Sequence, residues 1–114
     1  MLKIIMEFRK GVLFVRLNGV ITRDTIAKFE RNVTKKIKKY KISSVVFNMN
    51  DVKKIDLKGI NALFFIYELT NKEKGDTFLC NINNDVFDVL KKMKVFKYLR
   101  FIKDELEVFG LVKI

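Results

Sequence analysis

The chain has 114 residues, of which 49% are hydrophobic, and we expect one domain over residues 1–114 with a single core. Histidine is absent and there is one cysteine, which excludes an internal disulfide and most zinc or iron sites. We therefore expect a protein that is not an enzyme and that has no cofactor. No apolar run approaches the roughly 18–20 residues that cross a bilayer, and charge soon interrupts the first residues, so we expect no signal peptide, no membrane insertion and a cytoplasmic location.

The formal net charge of +11 raises the question of a nucleic-acid or anionic-membrane partner. Arginine, which makes bidentate contacts with phosphate and guanine, supplies only five of the 24 cationic side chains. Most of the 11 phenylalanines fall at core periodicities, where bases cannot stack on them. We therefore do not expect nucleic acid to be the partner.

The first part of the chain predicts a β-hairpin and then a helix. The segment KIIMEFRKGVLFVRLNG, residues 3–19, is typical of two strands joined at Arg9-Lys10-Gly11. Thr22 then serves as the N-cap of an amphipathic helix of about 18 residues. Its predicted buried stripe recurs at spacings of three and four: Ile26, Phe29, Val33, Ile37 and Tyr40. The lysines of TKKIKKYK fall on the polar side of the helix end, where they indicate a solvated face more than a phosphate site.

The middle of the chain predicts a covered strand and a buried helix. SSVVFNMN, residues 43–50, has the continuous apolar run of a strand covered on both faces. Asp56 follows as a helix N-cap, and LKGINALFFIYELTNKEKG is apolar nearly all round, which predicts a helix mostly buried against the sheet. Lys58 would stand in the first turn of that helix, where its charge opposes the helix dipole.

The last part predicts a strand, a helix, a short strand and a tail. DTFLCNI is the strand, in which Cys80 is expected to be a buried packing residue and not a reactive thiol. Asn83 or Asn84 caps the helix DVFDVLKKMKV, whose stripe includes Val86, Leu90 and Met93. YLRFI is a last short strand, and KDELEVFGLVKI is a short helix or a frayed tail.

Strands and helices alternate in the order β-β-α-β-α-β-α-β, which predicts an α/β fold with a mixed central sheet of about four to five strands and helices packed on it. Partner sites in such sheets gather at the carboxyl ends of strands. The connections there are expected at residues 18–22 and 51–59. These residues alone leave open whether Asp56 and Gly59 serve a partner or only cap and pack the helix.

Three segments carry a resemblance to a known family: VLFVRLNGVIT, SSVVFNMNDVKKIDLKGINALFFIYE and KGDTFLCNINNDVFDVLKKMKVFKYLRF. In order and spacing they resemble the STAS domain of bacterial anti-sigma factor antagonists. The most diagnostic piece of that family is a strand, then Asp-Ser-Ser-Gly or Asp-Ser/Thr-X-Gly, then an apolar helix. FNMNDVKKIDLKGINALFF falls on this pattern without a gap. The resemblance implies the STAS fold.

The resemblance also implies partner switching: such proteins bind an anti-sigma factor that is also a serine kinase, until phosphorylation of the serine before the motif glycine abolishes binding. Asp56 and Gly59 match the motif aspartate and glycine, and Lys58 occupies the phospho-acceptor position. Lysine has no hydroxyl, so we expect no phosphorylation there. The only serines, Ser43 and Ser44, precede the central strand, and Thr22 is the nearest hydroxyl expected at the same end of the sheet.

The partner surface that the resemblance implies comprises Thr22 and the start of the second helix, namely Asp56, Leu57, Lys58, Gly59, Ile60 and Asn61. Two alternatives remain for Lys58. Either it keeps the protein in the binding-competent form, with its ammonium group contacting an acidic partner, or that partner has been lost and the fold serves another purpose. We expect a monomer or weak dimer. The alternative function is a STAS binding module of a transport or stress-signalling assembly without sigma-factor control.

Overall fold

The structure of the protein is a computed structural model that describes residues 1–112, so the last two residues of the predicted tail, 113–114, lie outside the described residues. The described residues form one sheet, with the strands β1 (Leu2–Arg9), β2 (Val12–Ile21), β3 (Ser44–Ile55), β4 (Asp76–Cys80) and β5 (Arg100–Ile102). The long helix α1 covers residues 26–40 in three consecutive segments, Ile26–Phe29, a π-helical turn Glu30–Thr34, and Lys35–Tyr40. The helices α2 (Leu57–Lys72) and α3 (Asn84–Lys92) and the 3₁₀ segments Val95–Lys97 and Glu105–Gly110 complete the fold.

The sheet is mixed, as its sequence pattern predicts. Its strand order is β1-β2-β3-β4-β5; β1 is antiparallel to β2, and the remaining neighbours are parallel. The alternation of strands and helices and the central place of β3 are therefore confirmed. At the hairpin between β1 and β2, Lys10 (φ 49°) and Gly11 (φ 83°) form a two-residue loop with both φ angles positive. Such a loop matches the twist of the two flanking strands.

The two faces of the sheet are covered differently. All three long helices pack on one face, where Phe29 and Leu63 meet sheet residues such as Phe47 in one large apolar cluster. The other face is covered by the C-terminal 3₁₀ segment, whose Val108 packs against Phe14. Both faces of β3 are therefore buried, which explains its continuous run of apolar residues.

A partly buried polar network holds the C-terminal segment on that second face. The guanidinium of Arg16 on β2 donates to both carboxylate oxygens of Glu105, at 2.9 and 2.8 Å, and to Glu7 at 3.0 Å. Asn48 on β3 donates a further bond of 2.9 Å to Glu105. The bond from Arg16 is the main reason that the pKa of Glu105 is below its ordinary value. Of the two predicted forms of this segment, a short helix and a frayed tail, the structure has the short helix, at Glu105–Gly110.

Several predicted boundaries are wrong. The helix α1 begins at Ile26 with Thr25 as its N-cap, not at Thr22. Tyr40 is 62% exposed, because the chain reverses at Lys41 (φ 50°) and Ile42, 8% exposed, occupies the core position instead. Met93 is also 43% exposed, since α3 has already ended.

Candidate functional site

The carboxyl ends of β2 and β3 lie side by side, with Ile21 paired to Ile55. Both strands are longer than predicted, so most of residues 18–22 and 51–59 belong to strands and helix and not to loops. A four-residue turn, residues 22–25, leads from β2 to α1, and Asp56 alone separates β3 from α2. The predicted site therefore lies at the expected edge of the sheet, but a tight turn and the first turn of α2 form it.

Asp56 joins these two connections. Asp56 is the N-cap of α2: one of its carboxylate oxygens accepts a hydrogen bond of 3.0 Å from the backbone N–H of Gly59. The other oxygen accepts a hydrogen bond of 2.9 Å from the backbone N–H of Arg23. The bond from Arg23, and then that from Gly59, lowers the pKa of Asp56, so the group is a carboxylate at neutral pH. Its negative charge at the helix N-terminus also offsets the unfavourable position of Lys58 in the first turn.

The turn between β2 and α1 is fixed by Thr25, which the sequence reasoning missed. The Thr25 hydroxyl donates to the carbonyl of Val20 at 2.8 Å and accepts from the backbone N–H of Thr22 at 3.0 Å. A threonine three residues after Thr22 was the available signal, because such hydroxyls brace turns and helix starts. Thr22 itself is only 9% exposed, so its side chain lies mostly below the surface.

Gly59 has a packing role. A Cβ atom at this position would meet the backbone carbonyl of Ile21 and lie 2.8 Å from the Cγ1 atom of Ile55. Only glycine lets the first turn of α2 come this close to the ends of the two strands. The possibility that Gly59 permits close packing is therefore confirmed, and it places the neighbouring side chains of α2 at the sheet edge.

The structure separates the predicted site residues into two groups. Leu57 is 59% exposed, and Lys58 and Asn61 are exposed beside it. Ile60, in contrast, is 2% exposed and its side chain belongs to the main core. We correct the predicted surface accordingly: Ile60 points at the sheet because α2 packs on it with that side, and its side chain offers no contact area.

The exposed side of α2 continues beyond the predicted residues. Phe65 is 42% exposed and lies two turns after Leu57, with Asn61 between them, so this side of α2 is exposed, although the apolar residues of the helix are mostly buried as predicted. A groove lies between α1 and α2. It is lined by side chains of both helices and of the turn before α1, including Arg23, Ile26, Glu30, Lys58, Asn61 and Phe65. We refer to it as the α1–α2 groove. No sequence pattern indicates that Phe65 is exposed, because aromatic residues in an apolar helix usually belong to the core.

The charges near Asp56 are mostly positive. Lys54, Arg23 and Lys58 surround a shallow depression that also contains Asp24 and Asp56. The carboxylate of Asp56 is already occupied by backbone donors, which leaves the ammonium groups of Lys54 and Lys58 to face outward. The arrangement can bind an acidic side chain or another anion.

Within residues 1–112, no three side chains of histidine, cysteine, aspartate or glutamate are placed to hold a metal ion, and no helix is long and apolar enough to span a membrane. Cys80 is fully buried, which confirms its prediction as a packing residue. Its burial raises the pKa of the thiol to about 12.

Comparisons with known proteins agree on the family. The model of the STAS domain matches residues 3–108. The anti-sigma F factor antagonist of Paenibacillus polymyxa is 26% identical over 104 residues, which cover 91% of this chain and 89% of that protein. A candidate anti-sigma factor antagonist of Thermotoga maritima superimposes with a TM-score of 0.89 at 16% identity, over 96% of this chain and 93% of that one. The Bacillus cell fate determinant SpoIIAA in its phosphorylated form gives a TM-score of 0.74 at 13% identity, over 96% and 100%. These two structural likenesses concern the fold.

Proposed function

Since this chain belongs to the STAS domain family, we propose that it acts as an anti-sigma factor antagonist that binds an anti-sigma factor or a related serine kinase. The name of the Paenibacillus relative, which matches nearly the whole chain, supports this role. The partner surface of our proposal comprises the exposed start of α2 and the α1–α2 groove. It includes Asp56 and Gly59 as the residues that fix the backbone, and Thr22 as part of the adjoining turn.

The observation that carries the proposal is the exposed apolar side of α2 next to a fixed helix N-terminus. Leu57 and Phe65 expose 59% and 42% of their surface, although other apolar residues of α2, such as Leu63, are packed in the core. Exposed apolar side chains grouped with polar ones, here Lys58 and Asn61, are typical of protein contact surfaces. Because Asp56 and Gly59 hold this turn in place, the surface is formed before a partner binds, which lowers the entropic cost of binding.

We further propose that the usual phosphorylation switch is absent. A phosphoserine in the first turn of α2 would add about two negative charges to the contact surface, whereas Lys58 has one positive charge and no hydroxyl. The other hydroxyls are poorly placed for modification there: Thr22 is 9% exposed, and Ser44, 8% exposed, begins β3 at the opposite end of the strand. In this proposal the protein remains competent for binding, and the Lys58 ammonium contacts an acidic group of the partner.

Calorimetric titration with the purified anti-sigma factor kinases of the organism that encodes this chain tests the contact surface. Phe65→Ala should weaken binding about tenfold, the usual effect of truncating an aromatic contact near the centre of an interface. Val89→Ala is the matched control, because Val89 is 38% exposed on α3 and lies outside the surface. Equal affinity of wild type and Phe65→Ala for every kinase that binds would contradict the proposed surface.

Incubation with kinase and ATP tests the absence of a switch. The wild type should gain no phosphate by intact mass, and its complex should persist, whereas Lys58→Ser should become phosphorylated and then dissociate. Lys58→Glu tests the ammonium contact separately and should weaken binding, because it places a negative charge against an acidic group. Phosphate on the wild-type peptide that contains residues 56–61 would refute this part of the proposal.

A further inference from the structure

A second groove runs along the free edge of the sheet, between β1 and the later half of α1. Its floor is apolar and is formed by Ile4, Met6, Leu13 and Ile42. Leu13 and Ile42 are buried, and Ile4 and Met6 pack against the main core, so this floor is recessed and well supported. We refer to it as the β1–α1 groove.

Two exposed aromatic side chains stand at the end of this groove. Phe8 on β1 is 60% exposed and Tyr40 at the end of α1 is 62% exposed. Both side chains lie mostly outside the core, and Ile42 occupies the core position that follows Tyr40. Together with the floor they form a continuous apolar strip at the surface, which is a common property of binding grooves.

The wall of the β1–α1 groove is strongly cationic. Five basic side chains of α1 and its end line it: Arg31, Lys35, Lys36, Lys39 and Lys41. None of its lining residues is an aspartate or glutamate, and no carboxylate of residues 1–112 lies within 4.0 Å of any of the five cationic groups. The lysines that looked like a solvated helix end therefore stand beside an apolar channel.

We infer that the β1–α1 groove binds an acidic amphipathic helix of a protein partner. The cationic stretch from Arg31 to Lys41 covers 11 residues, whose ten steps at 1.5 Å per residue give about 15 Å, which accommodates about three turns of a helix. Apolar side chains of the partner at spacings of three and four residues would fill the floor, and its glutamates or aspartates would face the lysines. Charge complementarity of this kind steers association and fixes orientation.

The shape and charge of the groove disfavour other occupants. A flat anionic membrane would touch Phe8 and Tyr40 but would not reach the recessed Leu13 and Ile42. A nucleic acid would place its charged backbone, and not apolar groups, over an aliphatic floor. A second copy of this chain would bring a further net charge of +11 to the same surface.

This second surface lies on the other side of α1, since Arg31 and Lys35 line it whereas Glu30 and Thr34 line the α1–α2 groove, and the inference does not rest on the proposed function. Phe8 pairs with Leu13, which pairs with Val45, and Val45 precedes Asp56 by 11 residues along β3. At about 3.3 Å per residue this separation is on the order of 30 Å. Partners that contact the ends at Phe8 and at Asp56 can therefore bind at the same time, and the protein would then bring an acidic helical protein to a complex with its regulatory partner.

Fluorescence anisotropy with a labelled synthetic peptide tests the inference. The probe is a helix-stabilised peptide of about 14 residues with leucines along one side and glutamates elsewhere; its control has the same composition with the leucines spread around the helix. Lys36→Glu/Lys39→Glu should weaken binding of the probe at least about tenfold. Lys38→Glu/Lys72→Glu changes the net charge equally outside the groove, near the end of α2, and should have an effect below about threefold.

An equal loss of affinity for the probe in the two charge-reversed proteins would overturn the inference, because it would show that the peptide is attracted only to the net charge of the protein. Equal binding of both peptides, or no binding of the probe, would also overturn it. So would tighter, groove-dependent binding of vesicles that contain phosphatidylglycerol, or of a single-stranded oligonucleotide. Lys58→Glu should bind the probe as the wild type does, so failure here and failure of the proposed function are distinguishable. Amide chemical shifts should change along β1 and the end of α1.

Discussion

The two hydrogen bonds of the Asp56 carboxylate can be separated by mutation. Asp56→Ala removes both. An N-cap acceptor contributes about 1 kcal/mol, and the bond from the Arg23 amide to a charged acceptor contributes about 1 kcal/mol more at this partly exposed site. The free energy of unfolding should therefore fall by about 2 kcal/mol. For a chain of 114 residues this corresponds to a decrease of about 8 °C in Tm.

Asp56→Ser distinguishes the two bonds, because serine can still cap α2 but does not reach the Arg23 amide. It should lose about half as much stability as Asp56→Ala. Asp51→Ala is the matched control, since Asp51 is an exposed aspartate of β3 whose side chain contacts only Asn50, and it should stay within about 0.5 kcal/mol of the wild type. Urea unfolding followed by circular dichroism measures all three. Equal stability of Asp56→Ala and Asp56→Ser, or a loss below about 0.5 kcal/mol for Asp56→Ala, would refute the reasoning.

The same bonds predict a pH dependence with a definite sign. They lower the pKa of Asp56 in the folded protein relative to the unfolded chain. Their stabilisation is therefore fully present above the pKa of an unfolded aspartate, about 4, and is lost as the pH falls through the lower pKa of the folded state. The stability difference between wild type and Asp56→Ala should be constant from about pH 5 to 8 and should shrink below about pH 4. A difference that grows toward low pH would contradict this assignment.

Three further mutations or reactions test the packing of the fold. Gly59→Ala should lower the free energy of unfolding by about 2 kcal/mol or more, because the new methyl group meets backbone and a neighbouring side chain. Gly110→Ala is the control: no atom lies within 4 Å of its added Cβ, so thermal unfolding should be nearly unchanged. Arg16→Met should lower the free energy of unfolding in urea by about 2 kcal/mol, because the partly buried carboxylates of Glu7 and Glu105 lose their hydrogen bonds to Arg16. Arg100→Met breaks only an exposed ion pair of 3.4 Å and should lower it by less than about 0.5 kcal/mol. The Cys80 thiol, with its pKa raised to about 12, should not react with a disulfide reagent at pH 8 in the folded protein and should react promptly in denaturant; rapid reaction of the native protein would contradict its burial.

The order of strands and helices could be predicted because local patterns determine it. Apolar alternation, the Lys10-Gly11 turn and the caps at Asp56 and Asn83 each act over a few residues, and all four features are present. The placement of Asp56 and Gly59 at a sheet edge also followed from the sequence, because strands that lead into helices end at one edge of an open sheet.

The remaining features depend on contacts between distant segments. The strands β2 and β3 extend to Ile21 and Ile55 because they pair with each other, although Lys53 and Lys54 look like loop residues. The exposure of Phe65 depends on where α1 lies against α2, and that of Tyr40 on the chain reversal after it. The spacing of apolar residues within one helix contains neither kind of information, so both proposed contact surfaces are evident only in the three-dimensional structure.

We propose that this protein binds an anti-sigma factor kinase through the start of α2 without a phosphorylation switch. The most direct measurement is calorimetric titration of the purified kinase into the wild-type protein, before and after incubation with ATP. We predict a complex of unchanged affinity in both conditions, weakened by Phe65→Ala and not by Val89→Ala. Absence of any complex, or loss of the complex with ATP together with phosphate on the wild-type chain, would contradict the claim.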